Sequence, residues 1–185
     1  MSSSDGKQLI QTHRELLERW RKAMNLVGPG PVQEHFDDCA AALRVLQTEP
    51  PTGRWADLGT GAGFPGLVFA ATFPSVELEL VDSRQKRCRF LEEVLATAEW
   101  SGVMVRRQRH EELESGAYDG IMSRALHDPL GMVKVARRLL RPGGKLVLFM
   151  QEMAALPEAP GFEMFHVEHY TVAGRQRKSV VLRFA

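Results

Sequence analysis

At 185 residues, with 44% hydrophobic and 25% charged residues, the chain suits one folded domain with a short extension, leaving no room for a separate substrate domain and no sign of global disorder. A formal net charge of +1 excludes a polycation, and the longest apolar stretches, Gly66 to Phe73 and Leu146 to Met150, fall far short of the roughly 20 residues that span a bilayer. Cys39 and Cys88 are too few for a disulfide framework or a zinc site, and the Ser-rich start lacks a hydrophobic signal core. We therefore expect a cytoplasmic protein without a metal ion, both thiols being packing residues.

Apolar positions Leu9, Ile10, Leu16, Leu17, Trp20 and Met24 recur at helical spacing over Lys7 to Val27, until Gly28-Pro29-Gly30-Pro31 ends the pattern. A second helical run, Val32 to Leu46, stops before Pro50-Pro51-Thr52-Gly53. That turn-rich stretch divides the chain into a helical extension, 1–50, and a main domain, 51–185. Beyond it strands and helices alternate: Arg54 to Leu58, Val76 to Val81, Val103 to Arg107, Gly120 to Ser123 and Lys145 to Met150 as strands; Pro65 to Phe73, Arg84 to Ala98 and Pro129 to Leu140 as helices. Such alternation implies parallel βαβ units with right-handed crossovers. Glu163 to Thr171 and Lys178 to Phe184 read as an antiparallel pair around Ala173-Gly174, and Glu152 to Pro160 is too short and Pro-rich for a full helix. The expected fold is a doubly wound, Rossmann-like α/β domain: a mostly parallel seven-stranded sheet with a C-terminal antiparallel hairpin and an N-terminal helical extension.

The segment Asp57-Leu58-Gly59-Thr60-Gly61-Ala62-Gly63-Phe64-Pro65-Gly66 leaves a strand and enters a helix, where glycines let the backbone approach a ligand closely. Gly61, Gly63 and Gly66 satisfy the dinucleotide pattern, and Asp82 ends the next strand, where a ribose-binding acid belongs. NAD and S-adenosylmethionine therefore compete. Charge favours the second, because Asp57 would stand beside a pyrophosphate in one case and beside an ammonium and a sulfonium in the other. The plain alternatives are a loop or capping hydrogen bond for Asp57 and a strand-terminal turn for Asp82.

Methyl transfer from a sulfonium is an in-line displacement, so the acceptor's own chemistry decides which side chains are needed. No cysteine follows Cys88, which removes the nucleophile of pyrimidine C5 methylation, and Ser123-Arg124-Ala125-Leu126 replaces the Asn/Asp-Pro-Pro-aromatic turn of exocyclic amine methylation. Guanine N7 carries a lone pair, needs no general base, and fits by elimination.

Ser83 reads as an N-cap to the helix whose apolar stripe is Cys88, Leu91, Leu95 and Ala98. That helix opens with Arg84, Lys86, Arg87 and Arg89, which the helix dipole opposes by about 0.3 to 1 kcal/mol each. Contact with an RNA phosphate backbone and a solvated face are equally good readings. From Arg84 onward 17 Lys and Arg face 12 Asp and Glu, a surplus of 5. Arg106, Arg107, Arg109, Arg137, Arg138 and Arg141 read as solvent-facing, and Arg175, Arg177 and Lys178 flank the hairpin turn. Trp20 reads as a core anchor, and His35 with Asp38, three apart on a helix, as a pair sharing one face.

Taken together, these residues resemble the RsmG family, also called glucose-inhibited division protein B, which methylates guanine N7 in 16S ribosomal RNA. Trp20 with Asn25-Leu26, His35 with Asp38, Asp57 to Gly66, Asp82-Ser83 with Lys86-Arg87 and Arg89-Phe90-Leu91, Ser123-Arg124-Ala125, and Arg141-Pro142-Gly143-Gly144 carry the likeness over nearly the whole chain. It departs at Arg21, Glu34 and Met150-Gln151. The resemblance implies a class I methyltransferase fold using S-adenosylmethionine, with Gly59 and Phe64 lining the cofactor, His110 and Glu111 at the adenine, Asp82 at the ribose and Arg124 at the methionine end. Thr60, Gly61, Gly63 and Ser83 belong to the same cofactor set, while Arg124, His35 and Asp38 are candidates for positioning. The implied partner is small-subunit ribosomal RNA or the assembling subunit, met by a monomer. A small-molecule methyltransferase and a non-catalytic nucleotide-binding module stand as the alternatives.

Overall fold

The computed structural model describes residues 3–24, 28, 30–124, 126 and 128–185, with the side chains of residues 3 and 21–24 excepted. Asn25, Leu26, Ala125, the expected helix end at Val27 and the side chains of Arg21 and Met24 lie outside the described residues.

Helix α1 (Ser3–Met24) is followed by α2 (Val32–Ala42), which tightens into a 3-10 turn at Leu43–Leu46. Strand β1 (Arg54–Leu58), α3 (Gly66–Thr72), β2 (Glu77–Val81), α4 (Gln85–Thr97), β3 (Val103–Arg106), β4 (Tyr118–Ser123), α5 (Pro129–Leu139), β5 (Leu140–Gln151), β6 (Phe162–Val172) and β7 (Arg175–Phe184) complete the order. The sheet runs β3-β2-β1-β4-β5-β7-β6. β1, β2, β3, β4 and β5 are parallel, and β7 is antiparallel to both β5 and β6. The order reverses between β1 and β4, the switch point at which doubly wound sheets open a crevice for ligands.

Alternation along β1 explains the layering. Trp55 faces a core built with α1, α2, α3 and α4, whereas Ala56 and Leu58 face a second core built with α5. Leu9, Leu16 and Leu17 of α1 enter the first core, as does the partly buried Trp20. Both cysteines are free and buried.

Three expectations change. β5 begins at Leu140 rather than Lys145, because Leu140 already pairs with Tyr118 across a register shift. Ser83 is not a cap: the N-cap of α4 is Arg84, without a side-chain cap bond, and Asp82 Oδ1 accepts the Arg84 N–H at 2.9 Å. That bond turns the chain at Asp82 and leaves Arg84 extended, so the helix begins one residue later than a Ser83 cap would start it. Of the arginines read as solvent-facing, Arg138 is half-buried and donates to the carbonyls of His110 and Leu113, and Arg106 is half-buried against Glu79, whereas Arg141 is exposed as read and pairs with Asp119 at the surface. No helix among the described residues is long and apolar enough to cross a membrane.

Candidate active site

The glycine bend is built by its own backbone and two carboxylates. Gly59 and Thr60 both donate N–H groups to Val81 O, at 2.9 and 3.1 Å, which ties the end of β1 to the end of β2. Gly59 and Gly61 adopt φ of +68° and +60°, a region costly for residues with a Cβ. Asp57 is fully buried; its Oδ2 accepts from Thr60 Oγ1 at 2.6 Å and from Gly66 N at 2.8 Å, joining strand, bend and the first residue of α3. The capping alternative for Asp57 is thus met at Oδ2, whereas Oδ1 is buried without a hydrogen-bond partner among the described residues. Burial raises the Asp57 carboxyl to about 6, and the Thr60 and Gly66 bonds and the Arg124 charge pull the other way.

Asp82, at the end of β2, accepts the Gly61 N–H at Oδ2 (3.1 Å), and Arg87 Nη1 stands 3.2 Å from the same oxygen. Beside it opens a cavity of about 420 Å³ lined by Gly59, Asp82, Ser83, Arg87, His110 and Glu111 among others. That volume lies inside the roughly 300 to 1,000 Å³ range of small-molecule sites. A larger cavity of about 720 Å³ opens between α1, α2 and α3, but none of its lining residues comes from a strand end or the glycine bend, so the smaller one is the candidate site.

Gly63 and Phe64 lie behind the bend. The Phe64 ring packs edge-on to Phe36, 4.9 Å between centroids, and lies against His13 and His35. His13 is wholly buried; its Nε2–H donates to Ala62 O at 2.7 Å, and burial lowers its pKa to about 4.

Arg124, at the end of β4, brings the positioning candidates together. Its guanidinium lies 5.1 Å over the Phe64 ring, and its Nη1 is 3.4 Å from His35 Nδ1 and 4.0 Å from Asp38 Oδ2. Burial lowers the His35 pKa most, the Arg124 charge next, against the carboxylates of Asp38 and Glu34. Of the cationic opening of α4, Arg84, Lys86 and Arg89 are exposed and make no ion pair among the described residues; Arg87 leans back onto Asp82.

The cavity also takes Leu126, Gln108 and Arg109, and the Arg124 cluster takes Tyr170 and Arg177, none of which the sequence singled out for a site. Gln108, Arg109 and Leu126 adjoin residues that were singled out, whereas Tyr170 and Arg177 are too far along the chain from Asp38 for pattern to reveal. His13 was legible in principle, standing four residues from Leu9 and four from Leu17 on the apolar face of α1.

A family model described as rRNA small subunit methyltransferase G matches residues 6–181. Over 182 residues the chain is 38% identical to a protein named ribosomal RNA small subunit methyltransferase G from Xanthomonas oryzae pv. oryzae, covering 92% of this chain and 83% of that one. A protein of the same name from Halorhodospira halophila is 34% identical over 171 residues, covering 90% and 82%. Among solved structures, TrmN from Thermus thermophilus superposes with a TM-score of 0.58 and 21% identity over 86% of this chain and 55% of its own. The structure described as MtNAS in complex with MTA and tNA gives 0.64 and 12% over 97% and 70%. At these identities the two structures establish the fold alone, which is the doubly wound one expected. The match from residue 6 to residue 181, with identities of 34% to 38% to the named relatives, decides the family: the chain belongs to the rRNA small subunit methyltransferase G family of enzymes.

Proposed function

We propose that this methyltransferase moves a methyl group from S-adenosylmethionine to N7 of a guanosine in small-subunit (16S) ribosomal RNA, with residues 51–185 as the transferase domain and 1–50 as its helical extension. The observation that carries the reading is the glycine bend held against an acid-ended strand, with Gly61 N–H on Asp82 Oδ2, inside a chain of this family. The bend suits a cationic adenosyl ligand: a buried Asp57 oxygen lacks a partner beneath it, and Asp82 borders the adjacent cavity. A pyrophosphate in the same place would meet the Asp57 carboxylate, which disfavours NAD.

When bound, S-adenosylmethionine supplies a methyl group activated by a sulfonium. The chain's own residues bind and orient. Asp82 accepts from ribose hydroxyls, Ser83, His110 and Glu111 border the adenine, and the backbone of Gly59, Thr60, Gly61 and Gly63 allows close approach above Asp57. Arg124, 22% exposed, receives the methionine carboxylate while Phe64 supports its guanidinium, and His35 and Asp38 hold it there. Guanine N7 offers its own lone pair, so the residues need only align it for in-line attack. The exposed Arg84, Lys86 and Arg89, with Arg87, contact the RNA backbone beside the cofactor cavity. The partner is small-subunit RNA, free or in the assembling particle, met by a monomer in the cytoplasm.

Incubation of the protein with methyl-labelled S-adenosylmethionine and small-subunit RNA or particles, followed by nucleoside analysis, tests the assignment. We expect label in 7-methylguanosine; label confined to small molecules or protein contradicts it.

A further inference from the structure

Asp38 stands between the C-terminal hairpin and Arg124. Its residue is 6% exposed, and a carboxylate so deep is retained only when its oxygens are matched. The two oxygens are divided. Oδ1 accepts the Tyr170 hydroxyl at 3.1 Å and lies 3.6 Å from Arg177 Nε; Oδ2 faces Arg124 Nη1 at 4.0 Å. Tyr170 and Arg177 are direct cross-strand partners in the β6–β7 ladder, so one rung of the hairpin supplies both groups. The Ser179 hydroxyl donates to Ala42 O at 2.7 Å and clamps the end of α2 to the same hairpin.

An arginine side chain is long and has many rotamers, so aiming it requires contacts on more than one side. Arg124 has Phe64 on one side and His35, Asp38 and Cys39 Sγ (3.9 Å) on the other. Asp38 is the only carboxylate on that second side, and it makes no bond to the glycine bend among the described residues.

We infer that the Tyr170–Arg177 rung positions Arg124, through Asp38, to receive the carboxylate of the cofactor's methionine portion. The inference rests on the reading of Arg124 given under Proposed function. Tyr170 and Arg177 touch neither substrate nor cofactor; they are positioning residues, and the chain's last hairpin thereby sets how the amino-acid end of the ligand is held.

Calorimetry on the full chain with two probes tests this: S-adenosylhomocysteine, which carries the carboxylate, and 5′-methylthioadenosine, which lacks it. Tyr170→Phe keeps the ring and removes one hydrogen bond to a carboxylate. It should weaken S-adenosylhomocysteine binding about fivefold and leave methylthioadenosine within about twofold. Equal losses for both probes, or none for either, overturn the inference. Arg177→Gln provides the same comparison if Tyr170→Phe lowers the melting temperature enough to reduce the folded fraction. Arg124→Ala separates the two levels. If it fails to discriminate between the probes, the reading of Arg124 falls and the inference with it; if it discriminates while Tyr170→Phe and Arg177→Gln do not, the inference alone falls.

Discussion

Arg87 Nη1 lies 3.2 Å from Asp82 Oδ2, so the carboxylate at the end of β2 already holds a guanidinium from the next helix as well as the Gly61 N–H. The pair explains how a cation is tolerated near the positive end of α4. It also means that a ribose engaging Asp82 competes with Arg87 for one oxygen, releasing a guanidinium beside three exposed cations.

Arg87→Met should therefore leave cofactor affinity no weaker than in the unaltered protein while loosening RNA. RNA binding measured across a salt series should lose about one unit of slope in log affinity against log salt. An unchanged slope means that Arg87 meets no phosphate and serves Asp82 alone.

Two glycine substitutions in the same bend should differ in cause, and the one at Gly66 should cost more. A Cβ on Gly66 would overlap Leu80 Cδ2 and sit 2.7 Å from Asp57 Oδ2, so Gly66→Ala should cost about 2 to 3 kcal/mol in denaturant unfolding by overpacking. At Gly61 the nearest atom, Arg87 Nη1, is 3.6 Å away, and the cost is the positive φ of +60°, about 1 to 2 kcal/mol. Equal destabilisation by the two variants contradicts this packing of the bend.

His13 gives a pH dependence whose sign is fixed. Its pKa falls from 6.5 to about 4 in the folded chain, so the neutral ring contributes stability above pH 6.5 that is lost as pH falls through about 4. Asp57, raised to about 6, acts in the opposite sense, its contribution being greatest below the ordinary carboxylate value and declining as pH rises through about 6. Comparison with His13→Phe isolates the histidine. Between pH 6.5 and 4 the unaltered protein should lose about 3 kcal/mol more than the variant. Parallel stability profiles mean that the ring is not sealed from water.

The strands and helices were legible because apolar spacing and Gly/Pro punctuation agree along most of the chain; β1 runs from Arg54 to Leu58 as read. Disagreement came where another contact overrode the expected one, as when a turn at Asp82 moved the start of α4 past Ser83 and the distant Tyr118 drew Leu140 into β5. Asp57, Asp82 and the glycines were legible as a set because a strand–bend–helix–strand unit puts the ends of β1 and β2 side by side. The Tyr170 hydroxyl on Asp38 was not, since 132 residues separate the partners and nothing around Tyr170 marks it for a site.

Methyl transfer by this chain requires that the glycine bend and Asp82 hold an adenosyl cofactor. Calorimetric titration of the unaltered chain and of Asp82→Ala with S-adenosylhomocysteine tests it most directly. We predict saturable binding to the unaltered chain and a loss of about 1 to 3 kcal/mol in the variant, from removal of charge-assisted hydrogen bonds. Equal affinity in the two proteins, or binding of NAD as tight as that of S-adenosylhomocysteine, would contradict it.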